Sequence, residues 1–182
     1  MKEEILDLAK KLIRIESTKE RPEQISRAIS LCRDYFRPSV EEGQLFSRFF
    51  ESKGKPSLVL TLKETRSPEI FLVGHVDVVE AREEMFEARV EKGKLIGRGA
   101  SDMKTVLALM MVLLRNISEM DIVPNVGLMI TSDEEQGGFD GPGYLLDKEG
   151  YFCQCAFMPD GGDNFKIENK EKGVFQFKIE QE

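Results

Sequence analysis

Histidine is nearly missing from this 182-residue chain: the single one is His75. Any imidazole chemistry must therefore pass through that side chain. Cysteine is scarce as well, with Cys32, Cys153 and Cys155 and no Cys-x-x-Cys spacing. An odd count in that pattern argues against a disulfide framework and fits reduced core thiols in a cytoplasmic protein. No apolar run approaches ~20 residues, so neither a transmembrane helix nor a membrane partner is expected. There is no block of Lys and Arg, and 33 acidic against 26 basic residues give a net charge of −7, which argues against a nucleic-acid partner. The opening Met1-Lys-Glu-Glu-Ile5 reads as the start of an amphipathic helix rather than a signal peptide.

What remains is enough for one domain, or most of one: 41% of residues are hydrophobic, which supports a sizeable core. Apolar residues Ile5, Leu8, Ala9, Leu12 and Ile13 fall at helical spacing over residues 3–15. Pro22 can open a second helix running to about Phe36, with Pro38 as its stop. Residues 44–51 and 57–62 read as strands about a Lys-Gly turn, and residues 92–94 as the tip of a short hairpin. A helix is expected over 101–120, apolar nearly all round between Leu107 and Leu114 as for a helix buried on a sheet. Short apolar strands follow at 125–131 and 152–158, the latter placing Cys153 and Cys155 on one strand face, with a short helix about Leu145 between them. Residues 165–169 and 173–179 read as the arms of a hairpin. Strands alternating with helices argue an α/β layered domain.

The strand at 70–73, ended by Gly74, leads into His75-Val-Asp77. Chemistry in open α/β sheets gathers past the carboxyl ends of strands. An extended chain there points His75 and Asp77 the same way, and a carboxylate beside an imidazole can fix its tautomer and free the other nitrogen for a metal. Three further acidic positions fall after strands or before helices: Asp102, Asp133-Glu134-Glu135 and Asp160. Each alone has a bland reading, as a helix cap near the positive end of the helix dipole, a solvated loop or a turn residue. Carboxylates converging on one cleft raise each other's pKa, a cost that a divalent cation removes. Histidine with carboxylates is a donor set suited to Zn²⁺ and its neighbours.

In order along the chain, Gly74-His-Val-Asp-Val78, Gly97-Arg-Gly-Ala-Ser-Asp-Met-Lys104, Thr131-Ser-Asp-Glu-Glu-Gln-Gly-Gly138 and Pro159-Asp160 resemble the motifs of one metallohydrolase family. That family contains acetylornithine deacetylase, succinyl-diaminopimelate desuccinylase, aminoacylase and glutamate carboxypeptidase. The resemblance implies a three-layer α/β/α sandwich with a mixed, largely parallel central sheet, of the zinc-exopeptidase kind. It implies hydrolysis of an amide bond in an N-acyl amino acid or small peptide, using two Zn²⁺ ions per full site, for which Co²⁺ or Mn²⁺ could stand in. By the same resemblance His75, Asp102, Glu135 and Asp160 are metal ligands, with Asp102 bridging and the peptide bond after it often cis. Asp77 orients the imidazole, and Glu134 is the general base. Adjacent glutamates can divide these tasks because neighbouring side chains diverge, and Gly137 and Gly138 let the backbone turn beneath them.

The chain also departs from that pattern. Relatives use a later histidine, and none follows His75. Relatives continue through an inserted lid domain and return to finish the catalytic sheet. Residues 1–168 would then be the first part of the catalytic domain and 169–182 the first strand of the lid. The chain is expected to be a fragment, inactive alone, of an enzyme that could form a homodimer through the lid. The other readings are a dinuclear zinc aminopeptidase and a catalytically inactive metal-binding half-enzyme. Thr105 stands where relatives usually carry glycine, and its branched side chain is expected to tighten the helix against the sheet.

Overall fold

The structure is a computed structural model, and it describes residues 1–160. The hairpin expected at 165–179 and the domain boundary at 168 lie outside the described residues. Two helices, α1 (Lys2–Ile13) and α2 (Pro22–Glu41), lead into the hairpin β1 (Phe46–Ser52) and β2 (Lys55–Thr61), followed by β3 (Ile70–His75). The small hairpin β4 (Arg89–Glu91) and β5 (Lys94–Ile96) precedes α3 (Lys104–Ser118). Strand β6 (Val126–Thr131), helix α4 (Pro142–Asp147) and β7 (Cys155–Phe157) complete the order.

The main sheet runs β1-β2-β6-β3-β7. β1 pairs antiparallel with β2 and β2 antiparallel with β6, whereas β3 pairs parallel with both β6 and β7. The carboxyl ends of β3, β6 and β7 therefore share one edge. One face of the sheet, through Leu58, Leu60, Leu72, Leu128 and Ile130, packs under α1, α2 and α3. The other face carries Val59, Phe71 and Met129 beneath Leu145 and Tyr151. The β1–β2 turn uses Lys53 and Gly54 at φ 45° and 77°, the pair of left-handed residues that a two-residue hairpin of matching twist needs.

Several elements differ from their sequence reading, each for a physical reason. Pro38 lies inside α2 rather than ending it. A proline removes one backbone donor, but the turn beyond is held by buried Ser39 and by the Glu42 N–H donating to the Pro38 carbonyl at 2.9 Å. Gly74 lies within β3 rather than at its end. A Cβ there would come 2.9 Å from Met110 Cε and 3.2 Å from Leu107 Cδ1, so the glycine admits α3 against the sheet. α3 begins only at Lys104, and residues 101–103 form the turn before it. α3 is also not buried all round, because Leu109 and Leu113, one turn apart, are about half exposed. β7 is three residues long and excludes Cys153, and of the three free thiols only Cys32 is buried in the core.

Two strand glycines separate tight from forgiving packing. At Gly127 an added Cβ would meet the Phe71 ring at 2.5 Å and the Leu60 carbonyl at 3.0 Å, a ring and a backbone group with little freedom to yield. At Gly74 it would meet flexible methionine ends. Gly127→Ala should therefore cost about 1–3 kcal/mol in denaturant unfolding, and Gly74→Ala measurably less.

Candidate metal centre

His75 is the last residue of β3 and pairs with Thr131, the last of β6; the Val76 N–H then donates to the Thr131 carbonyl at 2.9 Å. The two strands thus deliver His75-Val-Asp77 and Ser132-Asp133-Glu134-Glu135 side by side. Asp102 arrives from the turn before α3, and Asp160 from the segment leaving β7. His75 is fully buried. Its Nδ1 lies 3.0 Å from the Asp77 carbonyl and 3.3 Å from Asp77 Oδ1. A carbonyl can only accept, so Nδ1 carries the hydrogen and Nε2 is the nitrogen offered to the cleft.

Around Nε2 stand three carboxylates from three separate loops: Asp102 Oδ1 at 3.2 Å, Asp160 Oδ2 at 3.3 Å and Glu134 Oε2 at 3.7 Å. Ligand atoms of His75, Glu134 and Asp160 all lie within 4.8 Å of one another. Asp77 is buried, and its carboxylate accepts the Glu134 N–H at 3.3 Å and the Glu135 N–H at 3.1 Å. One side chain thereby fixes both the imidazole and the backbone beneath the two glutamates. That backbone then makes a single 3₁₀ turn over Glu134–Gln136 and leaves through Gly137 and Gly138 at φ 99° and 69°.

Asp102 does not cap α3. Its side chain is 56% exposed and reaches His75 instead, and the Asp102–Met103 peptide bond is cis. Thr105 secures this turn by donating its hydroxyl hydrogen to the Ala100 carbonyl at 2.6 Å. Two further residues, to which the sequence assigns no role, shape the site. The Asp133 carboxylate accepts the Asp140 N–H at 2.8 Å and its carbonyl accepts the Gln136 and Gly138 N–H groups, shaping the loop that carries both glutamates. Ser17 donates its hydroxyl hydrogen to the Val76 carbonyl at 2.5 Å. Asp133 carried a sequence signal, as the first acid of a run of three; a lone serine after a helix carried none.

The electrostatics are those of an acidic cluster waiting for positive charge. Burial works against a charged His75, but the hydrogen bonds it donates to Asp160 and Asp77 and their negative charges outweigh it and push the imidazole up to about 11. Asp102 is pushed up by burial and by Asp160, with His75 opposing. Glu134 is pushed up by burial, eased by His75 and reinforced by Asp160, Asp77 and Asp102. Glu135 is raised by burial and by Asp102. Buried imidazole nitrogen ringed by carboxylates whose mutual repulsion a cation would relieve is a donor set that fits a divalent metal of the Zn²⁺ kind.

Residues 71–180, more than half of the chain, match Peptidase family M20/M25/M40. The chain belongs to this family. It is 31% identical to succinyl-diaminopimelate desuccinylase of Buchnera aphidicola subsp. Cinara cedri over 155 residues, which cover 75% of this chain and 36% of that protein. Human carnosine dipeptidase 1 superposes with a TM-score of 0.73 at 20% identity, covering 87% of this chain and 38% of that one. The M20 family metallo-carboxypeptidase Sso-CP2 from Sulfolobus solfataricus gives 0.65 at 20% identity, with the same coverage of 87% and 38%. The family's mixed α/β sheet is thus present, and the chain spans little more than a third of the length of these relatives. Among the described residues no helix is long and apolar enough to cross a membrane.

Because His75 holds its proton up to about pH 11 in the metal-free protein, metal uptake must displace that proton. Zn²⁺ affinity should rise with pH through the neutral range. Calorimetry in buffers of different ionisation enthalpy should record proton release on binding.

Proposed function

We propose that this chain supplies the metal-binding and proton-transferring half of an enzyme that hydrolyses an amide bond in an N-acyl amino acid or a small peptide. The observation that carries the reading is the meeting of His75 Nε2 with Asp102, Glu134 and Asp160, brought from three loops to one strand edge. The desuccinylase and dipeptidase names of its relatives support the substrate class. His75, Asp102, Glu135 and Asp160 would hold the metal, with Zn²⁺ as the natural ion. A divalent ion there supplies Lewis acidity, lowering the pKa of a water and polarising a carbonyl.

The chain's own residues do the rest. Asp77 keeps the hydrogen of His75 on Nδ1, so that Nε2 stays available. Asp102 and Asp160 share the charge on the far side of that nitrogen. Glu134 has its carboxyl raised by burial, which brings it closer to neutral pH than an ordinary glutamate and suits it to taking a proton from water and returning it to the leaving nitrogen. Glu135, next along the same turn, is assigned to the metal by the family resemblance, while the described donor atoms within 4.8 Å of one another are those of His75, Glu134 and Asp160. The three thiols form no disulfide, which supports a cytoplasmic setting. The residues from 169 onward would begin a second domain.

In the complete protein, Glu134→Gln should lower kcat on acyl-amino acid or dipeptide substrates by about 10²–10⁴-fold. Metal content by plasma mass spectrometry should stay unchanged. Normal turnover in this variant contradicts the base assignment, and loss of the metal makes Glu134 a ligand instead.

A further inference from the structure

One buried amine takes no part in the site just described. Lys104 is fully buried, and its Nζ donates to the Ile15 carbonyl at 2.7 Å. Among the described residues it makes no ion pair, although the Cys32 thiol and the Asp77 carboxylate lie within electrostatic reach. Burying an amine is costly, burial lowers the Lys104 ammonium to about 7, and a methionine of similar length would fill the same space without that cost. What lysine adds is a directed bond.

That bond joins two segments that matter. Lys104 follows Asp102 by two residues, and its N–H donates to the Gly99 carbonyl at 2.8 Å, closing the turn that carries Asp102. Its aliphatic stem lies on Gly99, where a Cβ would come 2.9 Å from Lys104 Cδ and 3.0 Å from Val78 Cγ1. The Ile15 carbonyl that receives the ammonium also accepts the Ser17 N–H at 2.8 Å. Ser17 in turn grips the chain just past His75: its hydroxyl donates to the Val76 carbonyl at 2.5 Å, and its carbonyl accepts the Val78 N–H at 3.0 Å. A continuous run of buried bonds thus passes from the Asp102 turn, through the segment leaving α1, to the loop of His75 and Asp77.

We propose that Lys104 is a positioning residue: with Ser17 it brackets the two loops and sets the approach of Asp102 to His75. The proposal rests on the reading of this cluster as a metal centre. It concerns how the donors are held, not which they are.

The test is Co²⁺ titration of the complete metal-free protein, followed by its visible absorption and by chelator competition. Lys104→Met should weaken Co²⁺ binding about 10- to 100-fold, as loss of a supporting contact does, and should alter the Co²⁺ spectrum. In an Asp102→Asn background the same substitution should cause little further loss, because its effect passes through Asp102. If Lys104→Met does not fold, Ser17→Ala decides, with the same expected direction. A bracket that serves only folding would lower the melting temperature and leave affinity and spectrum unmoved, which overturns the proposal. Equal losses in the parent and Asp102→Asn backgrounds overturn it too. If the parent protein takes up no Co²⁺, the metal-centre reading itself fails and the proposal falls with it.

Discussion

The structure turns on one buried carboxylate. Asp77 stands beside Nδ1 of the chain's single histidine and accepts the backbone N–H groups of Glu134 and Glu135. It therefore ties the end of β3 to the loop after β6, two segments that are more than fifty residues apart in sequence but side by side in the sheet. A buried carboxylate is stable only where its lone pairs are used. The two N–H donors and the imidazole use them, and in doing so they fix the histidine tautomer and the spacing of the two glutamates together.

The parallel pairing of β6, β3 and β7 explains why such a cluster can form at all. Parallel strands bring their carboxyl ends to one edge, and α3 starts from that edge, so four loops converge there. The consequence is electrostatic crowding. Asp102, Glu134 and Glu135 all have their carboxyls raised by burial and by neighbouring carboxylates, while His75 is driven upward by its acidic neighbours. A site that crowds carboxylates around one protonated imidazole favours added positive charge, and a divalent cation supplies it while releasing the proton.

The site was legible in the sequence to the extent that its residues are rare or patterned. A single histidine after an apolar run, an acid two residues on, and acids at successive strand ends are marks that residue types alone can carry. The strands and helices were legible for the same reason, through the apolar periods of α1, α3 and β6. What could not be read depends on packing between distant segments. Gly74 looked like a strand end, and only the approach of Met103, Leu107 and Met110 shows it as a strand residue kept small for α3. Pro38 looked like a stop, but α2 runs on past it to Glu41 with Ser39 buried in its last turn. By residue type alone Asp102 could equally be a helix cap; in the folded chain it leaves α3 uncapped and turns to the imidazole of β3, as the resemblance implies. The bonds of Lys104, which closes one of the motifs, and of Ser17 could not be read, because their partners are backbone carbonyls, which look the same at every position.

The most direct measurement is anomalous X-ray scattering at the zinc edge from crystals of the complete protein loaded with Zn²⁺. We expect a peak at about 2.0–2.1 Å from His75 Nε2, with Asp102 and Asp160 oxygens among its other neighbours and Nδ1 still facing Asp77. Zinc bound only elsewhere, or through Nδ1, would contradict the metal centre described above.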